Sequence, residues 1–225
     1  MLQRLLFRIA KGPMIGRFVG YTFQYATWAI PVKKVYLSKD VIAFHHPQPA
    51  YESHVILSPR RAVRDLCQLA SDGLSPLFMR IWEATKTLHV TDAAYRDAFV
   101  LVANGGKRQE VQQVHFHMFT NHAMVNEYAG HGQAESALYR DQDICVLAHP
   151  NPNWALHFVL VPIAAGKADQ NRYFQSVLRS IDRLNEEYHI VPKGYSLIYQ
   201  YKKQKNDMEL PIFHIVSGTR LSPAE

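Results

Sequence analysis

The sequence predicts an α+β protein built from two similar halves, each an antiparallel sheet with helices. Two stretches repeat the same pattern: His46 is followed by His54, and His149 by His157. One constant offset aligns both histidine pairs and the prolines around them, which indicates an internal duplication. In each half, short strand-like runs surround a stretch with helical periodicity, a mixture typical of α+β domains.

The elements of the first half follow from its apolar pattern and its turn residues. Residues 62–70 and 77–88 repeat apolar side chains at helical spacing and are predicted to be helices. The turn Asn104-Gly105-Gly106 marks the end of a strand. The strands predicted from runs of apolar and β-branched residues are 34–36, 41–45, 54–57, 98–103 and 110–119.

The second half repeats this order. Residues 170–188 form a predicted helix, because apolar side chains recur along one face. The predicted strands are 144–148, 157–161, 196–201 and 212–216. We predict superposable halves related by a pseudo-twofold axis, with these boundaries: an N-terminal helical segment at 1–33, a first half at 34–119, a connector at 120–136 and a second half at 137–225.

Composition narrows the class of protein. The chain has 225 residues, 48% of them hydrophobic, which is ordinary for a globular protein. Cys67 and Cys145 are its only cysteines, so a disulfide framework and a cysteine-rich zinc site are excluded. We expect both thiols to be buried core groups.

The formal charge of +6 belongs to the N-terminal segment. Residues 1–34 contain no acid, and the rest of the chain is neutral. This distribution argues against a broad nucleic-acid-binding face, and we expect no sequence-specific nucleic acid partner. The basic residues of the stretch 1–34 are Arg4, Arg8, Lys11, Arg17, Lys33 and Lys34.

Two interpretations of the N-terminal segment stay open. Residues 14–30 are apolar but include Arg17 and are slightly short for a membrane-spanning helix. The segment either packs its apolar faces on the body or a partner protein, or lies on an anionic membrane surface through residues 1–30. We expect a cytoplasmic protein, peripheral to the membrane under the second interpretation.

The candidate site lies on the last strand of the first half. Side chains two apart point to the same face of a strand, so Gln113, His115 and His117 project together. Paired histidines are either structural or metal ligands, but a stable metal site usually needs further ligands nearby. We assign no metal.

This part of the chain resembles the histidine-triad (HIT) superfamily. The string from Asn104 to Phe119 is similar to the family signature of alternating histidines preceded by a glutamine and an Asn-x-Gly turn. The block from Ala43 to Arg60 is similar to the family's first conserved region. The resemblance covers about residues 34–119, and it implies the HIT-like fold.

The resemblance implies nucleotidyl transfer or hydrolysis at the α-phosphate of a nucleotide or nucleotide conjugate, without a cofactor. His115 matches the histidine that attacks phosphorus and forms a covalent nucleotidyl-histidine. His117 matches a donor to phosphate oxygens, and Gln109 matches the glutamine that binds phosphate. Gln113, Asn104 and His46 are the predicted substrate-binding residues.

Some positions depart from the family pattern. Gln113 replaces the first histidine of the triad, and His46 stands where nucleoside-binding members usually carry an aspartate. In the second half Ile212 occupies the place of the nucleophile, and Leu210 that of Gln113. The sequence therefore predicts one active half and one degenerate half. The alternative is a catalytically eroded module that binds nucleotide or phosphate as an accessory protein.

Overall fold

The computed structural model describes residues 32–71, 73–121, 137–163, 170–203 and 211–221. Nearly all of the predicted N-terminal segment and connector lies outside these residues, and those predictions stay untested. Along the described chain, no helix is long and apolar enough to cross a membrane.

Ten strands and four helices make up the described fold. The strands of the first half are β1 (Lys34–Leu37), β2 (Val41–His45), β3 (His54–Pro59), β4 (Ala98–Gly105) and β5 (Phe116–Phe119). Those of the second half are β6 (Ala137–Arg140), β7 (Ile144–Ala148), β8 (Trp154–Pro162), β9 (Tyr195–Lys202) and β10 (Phe213–Arg220). The helices are α1 (Leu66–Ser71), α2 (Ser75–Thr91), α3 (Gln170–Tyr188) and α4 (Ile190–Lys193), and short 3-10 turns occupy Ala93–Tyr95 and Gly106–Arg108.

All ten strands form one sheet in the order β1-β2-β3-β5-β4-β9-β10-β8-β7-β6. Counted inward from its own edge, each half has the same strand order, and β4 and β9 join the halves at the centre. Every pair is antiparallel, and the central pair runs from Ala98↔Lys202 to Gly105↔Tyr195. The predicted α+β class is confirmed. The common strand order is what the predicted duplication requires, and the duplication itself stays an inference.

The helices cover one face of the sheet and bury its main core. Phe78 and Trp82 of α2 lie against Phe174 of α3, with ring centroids 4.8 and 5.9 Å apart. All three side chains are fully buried, and burial of a large apolar side chain contributes about 1.5–3 kcal/mol. Because side chains alternate along each strand, the opposite face carries the residues that flank the candidate site.

The predicted strand at 110–119 is wrong in its first part. Only Phe116–Phe119 joins the sheet, and His115 immediately precedes the strand. Gly106 has a positive φ of 58° and begins a 3-10 turn, which directs the chain out of the β4 ladder. After this turn, the side chains of Gln109 and Gln113 and the backbone N–H of Val114 bond to the backbone of residues 59–64 instead of to a neighbouring strand.

Candidate active site

His115 is held in a single tautomer by its own backbone. Its Nδ1 lies 2.7 Å from the carbonyl oxygen of Gln113. A carbonyl oxygen only accepts, so Nδ1 carries the hydrogen and Nε2 keeps its lone pair. Burial lowers the pKa of His115, although the hydrogen bond to Gln113 acts in the opposite direction. The ring is therefore neutral near pH 7, with a nucleophilic nitrogen at Nε2.

The side chain of Gln113 fixes the position of that carbonyl. Its Oε1 accepts the backbone N–H of Val63 at 3.2 Å, and its Nε2 donates to the carbonyl oxygens of Pro59 and Arg61 at 3.0 and 3.1 Å. Only 1% of Gln113 is exposed. The predicted contact of Gln113 with substrate is not supported, because its amide is already bonded within the protein. It anchors the segment before β5, on which His115 lies.

His117 lies on β5 beside His115, with ring centroids 4.9 Å apart. Its Nδ1 is 2.9 Å from Nε2 of His54 on β3. The remaining nitrogen of His54, Nδ1, is buried without a hydrogen-bond partner among the described residues. A buried N–H without an acceptor costs more than a bare lone pair, so we assign the shared hydrogen to His54 Nε2. His117 then carries its own hydrogen on Nε2, where it is a donor.

His46 stacks on this pair. Its ring lies 4.2 Å from that of His54 at an interplanar angle of 10°, and its Nδ1 accepts the backbone N–H of Gln48 at 3.0 Å. Its Nε2 therefore carries the hydrogen of the neutral ring. The structure brings His46 next to His117, with ring centroids 5.8 Å apart, and the substrate-binding role of His46 stays a prediction.

The second half repeats this cluster. His149 stacks on His157 at 4.0 Å and 5°, and Nε2 of His157 lies 3.0 Å from Nδ1 of His214. His149 Nδ1 accepts the N–H of Asn151 at 3.2 Å, as His46 does from Gln48. The sequence placed no chemistry on His54 or His157. Both residues repeat at the duplication offset, and this repetition is the sequence signal that they belong to equivalent clusters.

Each cluster holds three nitrogen atoms within 4.8 Å of one another, close enough to be considered for a metal ion. The ring arrangement argues against one. In-plane lone pairs of two stacked, parallel imidazoles do not converge on one point, and His46 and His149 each use the Nδ1 lone pair for a backbone N–H. A metal at Nε2 of these two rings would have to displace a proton from a neutral imidazole.

Gln109 lies on the loop that enters β5, and Asn104 lies near the end of β4. Gln109 Nε2 donates to the carbonyl oxygens of Arg64 and Val111 at 2.5 and 2.8 Å. Both of its amide hydrogens are used in this way, so the structure does not present Gln109 as the predicted phosphate donor. Asn104 differs, since its Oδ1 accepts the hydroxyl hydrogen of Ser196 at 2.7 Å and its Nδ2 is not part of that bond.

A cavity of about 350 Å³ lies elsewhere, between the β6–β7 turn and α3. It is lined by Tyr139, Asp141, Gln142, Asp143, Ser176, Arg179 and Arg183, and none of these belongs to the histidine clusters. Its volume alone does not make it a catalytic site, because none of its lining residues is a histidine with one ring nitrogen bonded to a backbone carbonyl, as His115 is.

We expect the histidine clusters to make stability fall at acidic pH. Burial lowers the pKa of His54 to about 4 and that of His157 to about 3, from 6.5 in the unfolded chain. The unfolded state therefore binds more protons below pH 6.5, and stability is lost as pH falls toward the folded pKa values. Each histidine adds a slope of up to about 1.4 kcal/mol per pH unit. Denaturant unfolding between pH 7.5 and 4.5 measures this slope.

The variants His54→Gln and His157→Gln should each flatten the profile. Replacement of His45, which is exposed at the end of β2, by Gln controls for loss of a histidine outside the clusters. An unfolding free energy that is constant between pH 7 and 4.5 would show that the buried rings are not neutral in the folded state.

Part of the chain matches a known protein family. Residues 28–124 match the HIT domain family. An uncharacterised HIT-like protein of Methanocaldococcus jannaschii is 27% identical over 109 residues, which are 48% of this chain and 82% of that protein.

Two solved structures resemble the chain over almost its whole length. A GalT-like protein from Arabidopsis thaliana superposes with a TM-score of 0.63 and 6% identity, covering 90% of this chain and 83% of that one. An ADP-glucose phosphorylase from the same plant superposes with a TM-score of 0.62 and 7% identity, covering 91% and 82%. At these identities the likeness shows the fold alone. Residues 28–124 therefore match the HIT domain family, and the resemblance to the histidine-triad superfamily that the sequence predicted is confirmed over this part of the chain.

Proposed function

We propose that this protein is a hydrolase or transferase that acts at the α-phosphate of a nucleotide conjugate through a covalent intermediate on His115. The observation that carries the proposal is the hydrogen bond from His115 Nδ1 to the Gln113 carbonyl. It leaves a neutral imidazole with its lone pair on Nε2, which is what attack on phosphorus needs. The neighbouring His117 is oriented by His54 and offers an N–H to the phosphate oxygens.

The proposed reaction has two steps. His115 Nε2 forms a bond to the α-phosphorus as the bond between phosphorus and the leaving oxygen breaks, and the leaving group takes up a proton. Water or an acceptor hydroxyl then attacks the same phosphorus, the P–N bond breaks, and His115 regains its lone pair while the attacking oxygen loses its proton. Donors fixed around the phosphate, with His117 as the first candidate, stabilise the charge in both transition states.

The second half supports the assignment of chemistry to the first. Ile212 stands where the first half has His115, and an alkyl side chain cannot attack phosphorus. The ADP-glucose phosphorylase that shares the fold was solved with bound ADP-glucose. A nucleotide joined to a sugar or a second phosphate group is therefore the class of substrate to test first.

The test is a panel of nucleotide conjugates: a nucleoside phosphoramidate, a dinucleoside polyphosphate and a nucleoside diphosphate sugar. Each is mixed with protein, quenched under conditions that preserve a phosphoramidate bond, and measured by intact-mass spectrometry and product chromatography. We expect turnover of at least one conjugate and an acid-labile nucleotidyl adduct in the peptide that contains His115. Nucleotide binding without turnover or adduct across the panel would instead identify the alternative, a binding module.

A further inference from the structure

Ser196 of the second half contacts the candidate active site of the first. It lies directly opposite Asn104 in the central β4–β9 pair, and its Oγ donates to Asn104 Oδ1 at 2.7 Å. The last pair in the β4–β5 register is Ala103 with Phe116, and Asn104 and His115 are the next residues of the two chain segments at this end of the pair. Directly opposed residues of an antiparallel pair point to the same face. Asn104 is therefore beside the proposed nucleophile.

Arg108 bridges the two halves at the same point. Its Nη1 donates to Ser196 Oγ at 3.1 Å and to the Val216 carbonyl at 3.3 Å, and its Nη2 donates to the Gly218 carbonyl at 2.8 Å. The guanidinium also lies over the ring of Trp154, 4.3 Å from its centroid. Val216, Gly218 and Trp154 all belong to the second half, which therefore holds the guanidinium in one place.

The chemistry of the guanidinium sets the direction of the hydrogen bonds. Arginine has only donors, so Ser196 Oγ must accept from Arg108. The one hydroxyl hydrogen of Ser196 is then directed to Asn104, and it requires an acceptor there. The amide oxygen of Asn104 consequently faces Ser196, and its NH₂ group faces away from Ser196.

We infer that Arg108 and Ser196 are positioning residues that present the amide hydrogens of Asn104 to the substrate phosphate. The inference rests on the proposed function, since it takes the phosphate to bind beside His115. Without Ser196 the amide can turn over and offer its oxygen, which repels a phosphate oxygen. The second half thus supplies part of the active site although it has no nucleophile of its own.

The experiment is a double-mutant cycle with Asn104→Ala, Ser196→Ala and the double variant, read as the rate of adduct formation in a single turnover. Asn104→Ala should slow the rate about a hundredfold, the usual effect of losing one fixed donor. Ser196→Ala should slow it about tenfold or more, and the double variant should be no slower than Asn104→Ala, because Ser196 acts only through Asn104. Ser196→Thr, which keeps the hydroxyl, should recover most of the rate, and Arg108→Met should behave like Ser196→Ala.

Ser217→Ala is the matched control. Ser217 is a buried serine of the neighbouring strand whose hydroxyl bonds to the Gly194 carbonyl at 2.8 Å, so its loss removes a comparable hydrogen bond without reaching Asn104. Thermal unfolding of every variant separates loss of folding from loss of positioning. A Ser196→Ala protein with the wild-type rate, or a double variant that multiplies the two single effects, would overturn the inference.

Binding of AMP, measured by calorimetry, separates this inference from the proposed function. If the wild-type protein forms no adduct with any conjugate, the proposed function fails, and the same cycle is then read in AMP affinity. Coupling between Ser196 and Asn104 in that affinity supports the positioning role, and independent effects of the two variants contradict it.

Discussion

Replacement of His115 by alanine is expected to abolish turnover and the covalent adduct while leaving the fold intact. Within the described site, His115 is the only histidine whose Nδ1 donates to a backbone carbonyl, and the acceptor is the Gln113 oxygen at 2.7 Å. Loss of a nucleophile from a working site typically lowers kcat by a factor on the order of 10⁴ to 10⁶. The steady-state rate and the intact mass after quenching, both with one turned-over conjugate, measure the effect.

The variants His117→Ala and His214→Ala are to be compared with His115→Ala, because His117 and His214 occupy equivalent places in the two halves. His117→Ala should weaken both the rate and the adduct, since it removes a donor and the partner of His54. His214→Ala should leave the chemical step intact, with thermal unfolding as the check, because His214 is fully buried and bonded to His157. Turnover by His115→Ala, or an adduct mapped to the second half, would mean that the nucleophile lies elsewhere.

The sequence predicted the sheet well because its signals are local or repeated. Alternation, turn residues and the offset between His46 and His149 do not depend on long-range contacts. The same offset relates the two histidine clusters, but in a sequence a repeated histidine is equally consistent with a turn residue or a core residue. Only the packing of β3 against β5 shows that His54 and His117 share a hydrogen.

The loop before β5 was not predictable in the same way. Its residues alternate like a strand, but Gln109 and Gln113 bond to the backbone of residues 59–64 and take the place of a ladder. Amide side chains that take the place of backbone hydrogen-bond partners leave no periodic pattern in the sequence. The family resemblance implies that both glutamines contact the substrate. In the structure their side chains bond to the backbone of residues 59–64 and hold the loop.

Contacts between the halves were the least accessible to sequence reasoning. Arg108 and Ser196 are far apart in the chain and meet only because β4 pairs with β9. The two halves share one strand order, and under the proposed function they differ in chemistry. Both keep the stacked histidines that fill the same position on the sheet, whereas Ile212 in place of the nucleophile alters one side chain at its edge.

The turn that follows Asn104 contains two glycines, Gly105 and Gly106, at which an added Cβ would clash with the second half. A Cβ on Gly106 would lie 2.0 Å from the carbonyl oxygen of Val191, and one on Gly105 would lie 2.1 Å from the ring of Tyr195. Both neighbours belong to the second half, and Tyr195 is fully buried, so neither can move without disturbing the contact between the halves. Gly106 also has a φ of 58°, where a Cβ adds strain.

We expect Gly106→Ala to lower the free energy of unfolding by about 2–5 kcal/mol, as the sum of overpacking at about 1–3 kcal/mol and left-handed strain at about 1–2 kcal/mol. Gly73→Ala is the matched control, because Gly73 has a similar φ of 63° but nothing within 4 Å of the added Cβ. It should show the strain alone. Denaturant unfolding of both variants measures the difference. Equal losses would mean that Val191 gives way, and that the loop of the active half does not depend on the close approach of the second.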